Sequence, residues 1–576
     1  GSGSLEAPSL RTTLAWLDAA GLGLLDAMPA GVLRQASLTA RVSAGFGARP
    51  EVTLADLSGQ IDGQALQARL TVKPGTRLAI ETALNLATLD LDPWWPSALP
   101  GRGRVDLDLQ LATDRLRFRG QDIARLTLDL ASQQGRVQLR KSEAVFPGLR
   151  AVASFTLLDG GGLNDARLEL AAPALDAAAA GVATLLPLPA AMRLPHWPLA
   201  LVLVAAGPPG AIAARLTMDA GDLRVEAQPL IDTSGQRLSG TMMLRHPGAP
   251  RLLEALGLGG TASWLGDGSL SLVAGMAVSR QKILVDSFDL AAGVLRAGGS
   301  LTLEPGETPR LTGRITAETL PLPLPFPRSP DPLPLALLAG WEAGLRLEAG
   351  RVLAGLSPVI DHLATQLSVK DGALRLDTLT GLVDGGAASG AIGLDTRAVP
   401  PRLSVELALA GAKIAGPLFE LPLDIASGTL DATASLTAQG HAPQALLATL
   451  SGTAHVAVQA GTITGVDPAA MGPGLLEDDL RRALMAGSFA FDQLDLLAGL
   501  ANGALTLAAS SIIAPSGTGR LTGLVDIAGQ TQELRLAWRP GVEQPPELAV
   551  RLGGRLGQNG RTLETSEGQI WRALHP

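Results

Sequence analysis

The sequence predicts a mainly β fold built from antiparallel meanders. Three observations carry this. Apolar and polar residues alternate with period two over most of the 576 residues. Asp371-Gly372, Asp384-Gly385 and Asn502-Gly503 stand between alternating runs, as two-residue hairpin turns require. Helical spacing is confined to a few short stretches. The strands recur at roughly ten to fifteen residues, without the fixed repeat of a propeller or β-helix.

In chain order, residues 1–4, "GSGS", read as a cloning scar outside the fold. Residues 5–36 read as an N-terminal helical segment. Leu14, Leu17, Leu22 and Leu25 fall at helical spacing in residues 12–36, and Thr12 or Thr13 can cap them. With Trp16, these residues either plug one end of a sheet or simply pack on it. Residues 37–330 form the first part of the β region, and residues 331–439 continue it. Between them "PLPLPFPRSPDPLP" (321–334) alternates Leu with Pro, which cannot join a central strand. It is an extended linker or a rigid crossover, and marks a soft boundary. Short helices are expected within 172–187, 248–260, 443–450 and 474–485. In the last region, 440–576, the run 446–467 reads as a helix end, a strand, a tight turn at Gly461 and a second strand.

Alternation assigns faces. Val105, Leu107, Leu109 and Leu111 oppose Asp106, Asp108 and Gln110. Leu126, Leu128 and Leu130 oppose Arg125, Thr127 and Asp129. Val137 with Leu139, Leu345 with Leu347, Leu403 with Val405, Leu407 and Leu409, Val456 with Val458, Leu505 with Leu507, and Leu534 with Leu536 follow the same rule. An apolar sheet face costs about 25 cal/mol per Å2 left in water, so something covers it. A second sheet, closure into a barrel, or lipid chains lying in a trough would each do so. Aromatic residues are only 3% of the chain and Tyr is absent, which leans towards a trough lined by Leu, Val and Ala.

Composition excludes several classes. A net charge of −8 argues against nucleic-acid binding. Five lysines against many arginines reads as codon usage. With no cysteine, disulfides, thiolate metal sites and Cys nucleophiles are impossible. The nearest approach to a bilayer span, "PLALVLVAAGPPG" (198–210), is too short and is broken by Gly-Pro-Pro. A native membrane anchor is expected upstream of Leu5. His196, His246, His362, His441, His455 and His575 are scattered without ligand spacing. "SRQK" (279–282) lacks the partner motif of a serine hydrolase, and "GLGG" (257–260) lacks the Lys of a phosphate loop. Trp94-Trp95 can cover a groove end or rest against a membrane or partner. The expectation is a chain that is not an enzyme and uses no cofactor or metal.

The stretch "GHAPQALLATLSGTAHVAVQAGTITGVD" (440–467) resembles the C-terminal part of the AsmA family of Gram-negative envelope proteins. Leu450, Gly452, Ala454, Gly461, Ile463, Gly465 and Asp467 fall on that pattern, with Ala460 where an acidic residue or Asn is common. Phe489, Gly503, Leu505, Gly517, Gly519 and Gly523 continue it. "LNLATLDLDPWWP" (84–96) and the hairpins of 286–315 are also similar to the family.

The resemblance implies a long twisted antiparallel sheet bent into an elongated U-shaped apolar groove, as in bridge-like lipid transfer proteins. About 30 strands would give a trough on the order of 140 Å. It implies a periplasmic protein anchored in the inner membrane. Its cargo would be phospholipids or other acyl lipids, carried between inner and outer membranes in support of outer-membrane biogenesis. Outer-membrane or periplasmic proteins would be partners. The lining would be Val105, Leu107, Leu109, Leu126, Leu128, Leu130, Val137, Leu139, Leu345, Leu347, Leu403, Val405, Leu407, Val456, Val458, Leu505, Leu507, Leu534 and Leu536. The alternative is a non-enzymatic scaffold or assembly factor binding a partner at a sheet edge; a surface adhesin is a weaker third.

Overall fold

In a computed structural model, the chain is described over residues 1–18, 32–45, 47, 50–90, 92, 105–118, 121–123, 125–146, 148–176, 196–256, 265–322, 328–355, 357–418, 423–468, 478, 482, 485–556 and 558–574. The described residues form 32 strands and a few short helices, the mainly β fold that alternation predicts. The chain divides into two compact units, Gly1–Gly293 and Val294–Pro576. The Pro-rich segment lies inside the second.

In each unit, sequential strands are neighbours, joined by tight turns. Asp371 and Gly372 have φ of 51° and 74°, Asp384 and Gly385 48° and 78°, Asn502 and Gly503 52° and 76°. Both central residues are left-handed, the geometry that matches strand twist. One pair in each unit departs from the meander. Leu78–Asp90 runs parallel to Val105–Phe118, and Arg310–Pro321 runs parallel to Glu342–Ala354. A parallel pair needs a crossover, so the Pro-rich segment belongs to a crossover. Ser329 and Leu333 of that crossover bond to Gln444 and His441 beside the helix Pro443–Ala448.

Three expectations are corrected. Ser2–Ala7 is a strand paired with Ala36–Gly45, so the first four residues contribute to the fold. The N-terminal helix covers Leu10–Asp18, and Ala36 already begins a strand. Gly461 is not a turn: Ser451–Thr464 is one continuous strand. A register break there is absorbed by Ala460, at φ 51°. Such breaks recur, with left-handed residues at Asp56, His362, Thr378 and Gly411. Each inserts residues on one strand only, which bends it and increases its twist.

Two of the other expected helices are present, as Ala249–Ala255 and Pro443–Ala448, whereas Ala172, at the start of a third, ends the strand Leu163–Ala172. Residues 177–187, most of 474–485, "GLGG" and Trp94-Trp95 lie outside the described residues, as do Leu22 and Leu25.

Candidate functional site

The period-two pattern becomes a surface through register. In the first unit, Leu38 pairs with Gly59, Gly59 with Leu66, Leu66 with Leu86, and Leu86 with Thr113. The row continues through Leu126, Ala144, Ala151, Leu170 and Leu201. It ends through Met218, Val225, Leu244, Leu272 and Leu290. The single polar member, Thr113, is buried and donates its hydroxyl to Arg115 O at 3.1 Å.

The second unit repeats the device. Leu301 leads to Gly313, Leu345, Leu367, Leu376 and Ile392. Val405, Leu436, Gly452, Leu500, Leu505 and Val525 follow. The next partner is Gln532, then Gly554.

These faces are mostly neither dry nor bare. Apolar-face residues are half-buried along most strands, while the opposite face is exposed; Arg402–Ile414 alternates in this way. Backbone contacts of the strands run mainly to their ladder neighbours. Apolar side chains that shade one another along one face, with the charge on the other, fit a sheet bent with its apolar side inward. Each unit therefore presents a concave apolar floor.

The floor has ends. In the first unit Leu10 and Leu14 of the N-terminal helix pack with Ala7, Ala36, Leu38 and Ile61. The second unit ends in a dry cluster of Val458, Ile463, Phe489, Phe491, Leu494, Ile512, Leu536, Trp538 and Leu548, among others. Here the sheet rolls over itself. Arg561 Nη1 reaches Gly465 O at 2.8 Å and Met485 O at 2.6 Å. Gly519 lies where a Cβ would stand 2.8 Å from the Trp538 ring, so only glycine admits that indole.

The opposite face carries the charge. Arg140 bridges Asp129, at 2.8 Å, and Asp108. Arg535 bridges Glu547 at 3.0 Å and Glu564 at 2.9 Å. Hydrogen bonds from Arg535 hold both carboxyls below their ordinary range, outweighing desolvation. Asp62 is pushed up by burial. Backbone N–H groups of Gln35, Arg34 and Leu33, at 2.7–2.9 Å, more than reverse that. His455 Nε2 meets Asp495 Oδ1 at 2.9 Å on this wet face. No group of His, Asp and Glu suited to a metal occurs among the described residues.

Of the sequence-predicted lining, Val105, Leu107, Leu109, Leu126, Leu128, Leu345, Leu347, Leu403, Val405, Val456, Leu505 and Leu507 are half-buried, and Leu407 is 42% exposed. Leu130, Val137 and Leu139 are buried in a small cluster with Phe155 and Leu157. Val458 and Leu536 lie in the dry C-terminal cluster, and Leu534 is buried on the same face as Leu536. Sequence reading passed over the ends of the floor. Phe489, Phe491 and Trp538 gather in one place in a chain with few aromatics, which was the available signal. It also passed over Gln532, which shares a face with Leu534 and Leu536.

A concave apolar floor on alternating strands, with its charge outside, is the geometry to compare with known proteins. Residues 327–509 match the model of the AsmA family. AsmA is an envelope family, and the matched span covers strands on both sides of the helix Pro443–Ala448. The AsmA region contains the middle of the second unit's apolar row, from Leu345 to Leu505. No curated protein matches the chain. No helix among the described residues is long and apolar enough to cross a membrane.

Proposed function

We propose that the chain is a non-enzymatic lipid carrier of the periplasm, holding phospholipids between inner and outer membranes with acyl chains on the apolar floor and headgroups in water. The observation that carries this is the unbroken cross-strand row in each unit, apolar over nearly its whole length and half-buried at most of its members. Each methylene placed on it leaves water with a gain of about 0.8 kcal/mol. A continuous floor lets a chain advance without returning to water at each step. No energy source is required; direction comes from the membranes or partners at either end. The match to the AsmA family supports the envelope setting, and inner-membrane anchorage and a role in outer-membrane integrity follow as part of the same reading.

Native mass spectrometry with lipid extraction, on protein purified without detergent, tests it. Several phospholipids per chain are expected. A lipid-free protein with the same apolar faces would overturn the reading. It would favour an assembly scaffold acting at the edge strand Gln558–Glu564, whose one ladder partner among the described residues of its unit is Leu548–Arg555.

A further inference from the structure

The apolar row of the second unit stops at Gln532. This side chain is 5% exposed, and neither Oε1 nor Nε2 has a hydrogen-bond partner. A buried carboxamide in that state is costly, because it gave up its bonds to water and regained none. The neighbours that register places beside it offer nothing polar from a side chain: Val525 on one side and Gly554 on the other. The adjoining turn is fixed in place, since Arg328 Nη2 from the crossover donates to Ile527 O at 3.2 Å.

A second unpaired donor, Trp538 Nε1, lies on the same face of the strand, but its ring is packed against Phe489 inside the dry cluster. Gln532 stands instead where the row of Leu500, Leu505 and Val525 runs up to it. An acyl chain lying on that row would bring its polar end to the carboxamide.

Resting on the lipid-carrier reading, we propose that Gln532 is a binding residue for the ester group of an acyl lipid. Its Nε2–H donates to the ester carbonyl oxygen. The acyl chain then runs down the apolar row and the headgroup leaves the floor. An ester carbonyl fits because it supplies an acceptor and carries no charge into the apolar end. A carboxylate or phosphate in the same place would be a buried charge without a counter-ion.

The test uses the full chain and two phospholipids that share chain length and headgroup, one diester and one diether. The protein is incubated with equal amounts of both, and bound species are counted by native mass spectrometry. Wild type is expected to prefer the diester, on the order of fivefold for one neutral hydrogen bond. Gln532→Leu is expected to abolish the preference and to raise the melting temperature of the lipid-free protein. Gln532→Met, of similar length without a donor, is the second variant should Leu disturb packing. Wild type that binds both lipids equally overturns the ester site and leaves the carrier reading standing. So does a preference that survives in both variants. Wild type that binds neither lipid removes both readings together.

Discussion

Arg561 donates through Nη1 to the carbonyl of Gly465 at 2.8 Å, although five strands separate the two along the ladder. In a flat sheet that interval would be on the order of 29 Å. The bond therefore records how far the last strands of the second unit curl over their apolar side. The guanidinium also satisfies Met485 O, so one side chain fastens two carbonyls. Arg561→Leu should leave both without this partner and cost about 1–3 kcal/mol. Chemical denaturation measures the cost. Hydrogen exchange should quicken first around residues 485–491, and uniform exchange across the second unit would count against a local fastening.

Phe489 and Trp538 meet inside the curl. Their centroids are 4.9 Å apart at 66°, with two strands between theirs. Either residue replaced by Ala should destabilise the second unit by about 3–5 kcal/mol. A double-mutant cycle should return a coupling of about 0.5–1.5 kcal/mol for the edge-on contact. A coupling of zero would mean that the two rings are buried independently.

Ala460 and Gly461 should respond in opposite directions. Ala460 sits at φ 51°, a region that Asn enters readily and Ala does not. Ala460→Asn should stabilise by about 0.5–1 kcal/mol. At Gly461 a Cβ would stand 2.3 Å from Phe491 Cζ and 2.5 Å from Ser427 O. Gly461→Ala should therefore destabilise by about 1–3 kcal/mol through overpacking. Paired melting curves of the two variants decide the matter.

These neighbours also show what the sequence could convey. Alternation is a local property, so the faces of Val105–Leu111 or Leu403–Leu409 were legible, as were the Asx-Gly turns. A register break is not local. It depends on what the partner strand does, and Thr378 at φ 52° carries no compositional sign of it. Gly461 was misread for that reason: glycine usually marks a turn, whereas here it makes room for Phe491 from the neighbouring strand. Gln532 escaped notice because its place at the end of the apolar row depends on register, which sets it beside Val525 and Gly554.

The charged face implies acid sensitivity. Glu547 and Glu564 have folded-state pKa values lowered by Arg535, so they stabilise the folded chain above their unfolded value of about 4.5. That contribution is lost as pH falls through the lower folded values. Melting temperature should therefore drop below about pH 4.5. Arg535→Met should flatten this acid limb, leaving only what other carboxylates contribute. An unchanged acid limb in the variant would mean that these pairs do not couple to folding.

The sharpest division between a floor and a dry core comes from placing one charge on the row. Val405 is half-buried between Ile392 and Leu436. If it faces an open groove, Val405→Glu keeps its carboxylate hydrated, so melting changes modestly. Acyl chains, however, meet a charge in the middle of their path, and bound lipid should fall several-fold. If a packed layer covers Val405 in solution, the same substitution buries an unpaired charge and the unit unfolds, because that penalty is far larger than the loss of one valine. Thr433→Glu, on the exposed face of the neighbouring strand, is the control. It should alter neither stability nor lipid count. Melting temperature and lipid stoichiometry measured on the three proteins separate the cases, since only an open floor loses its lipid while keeping its fold.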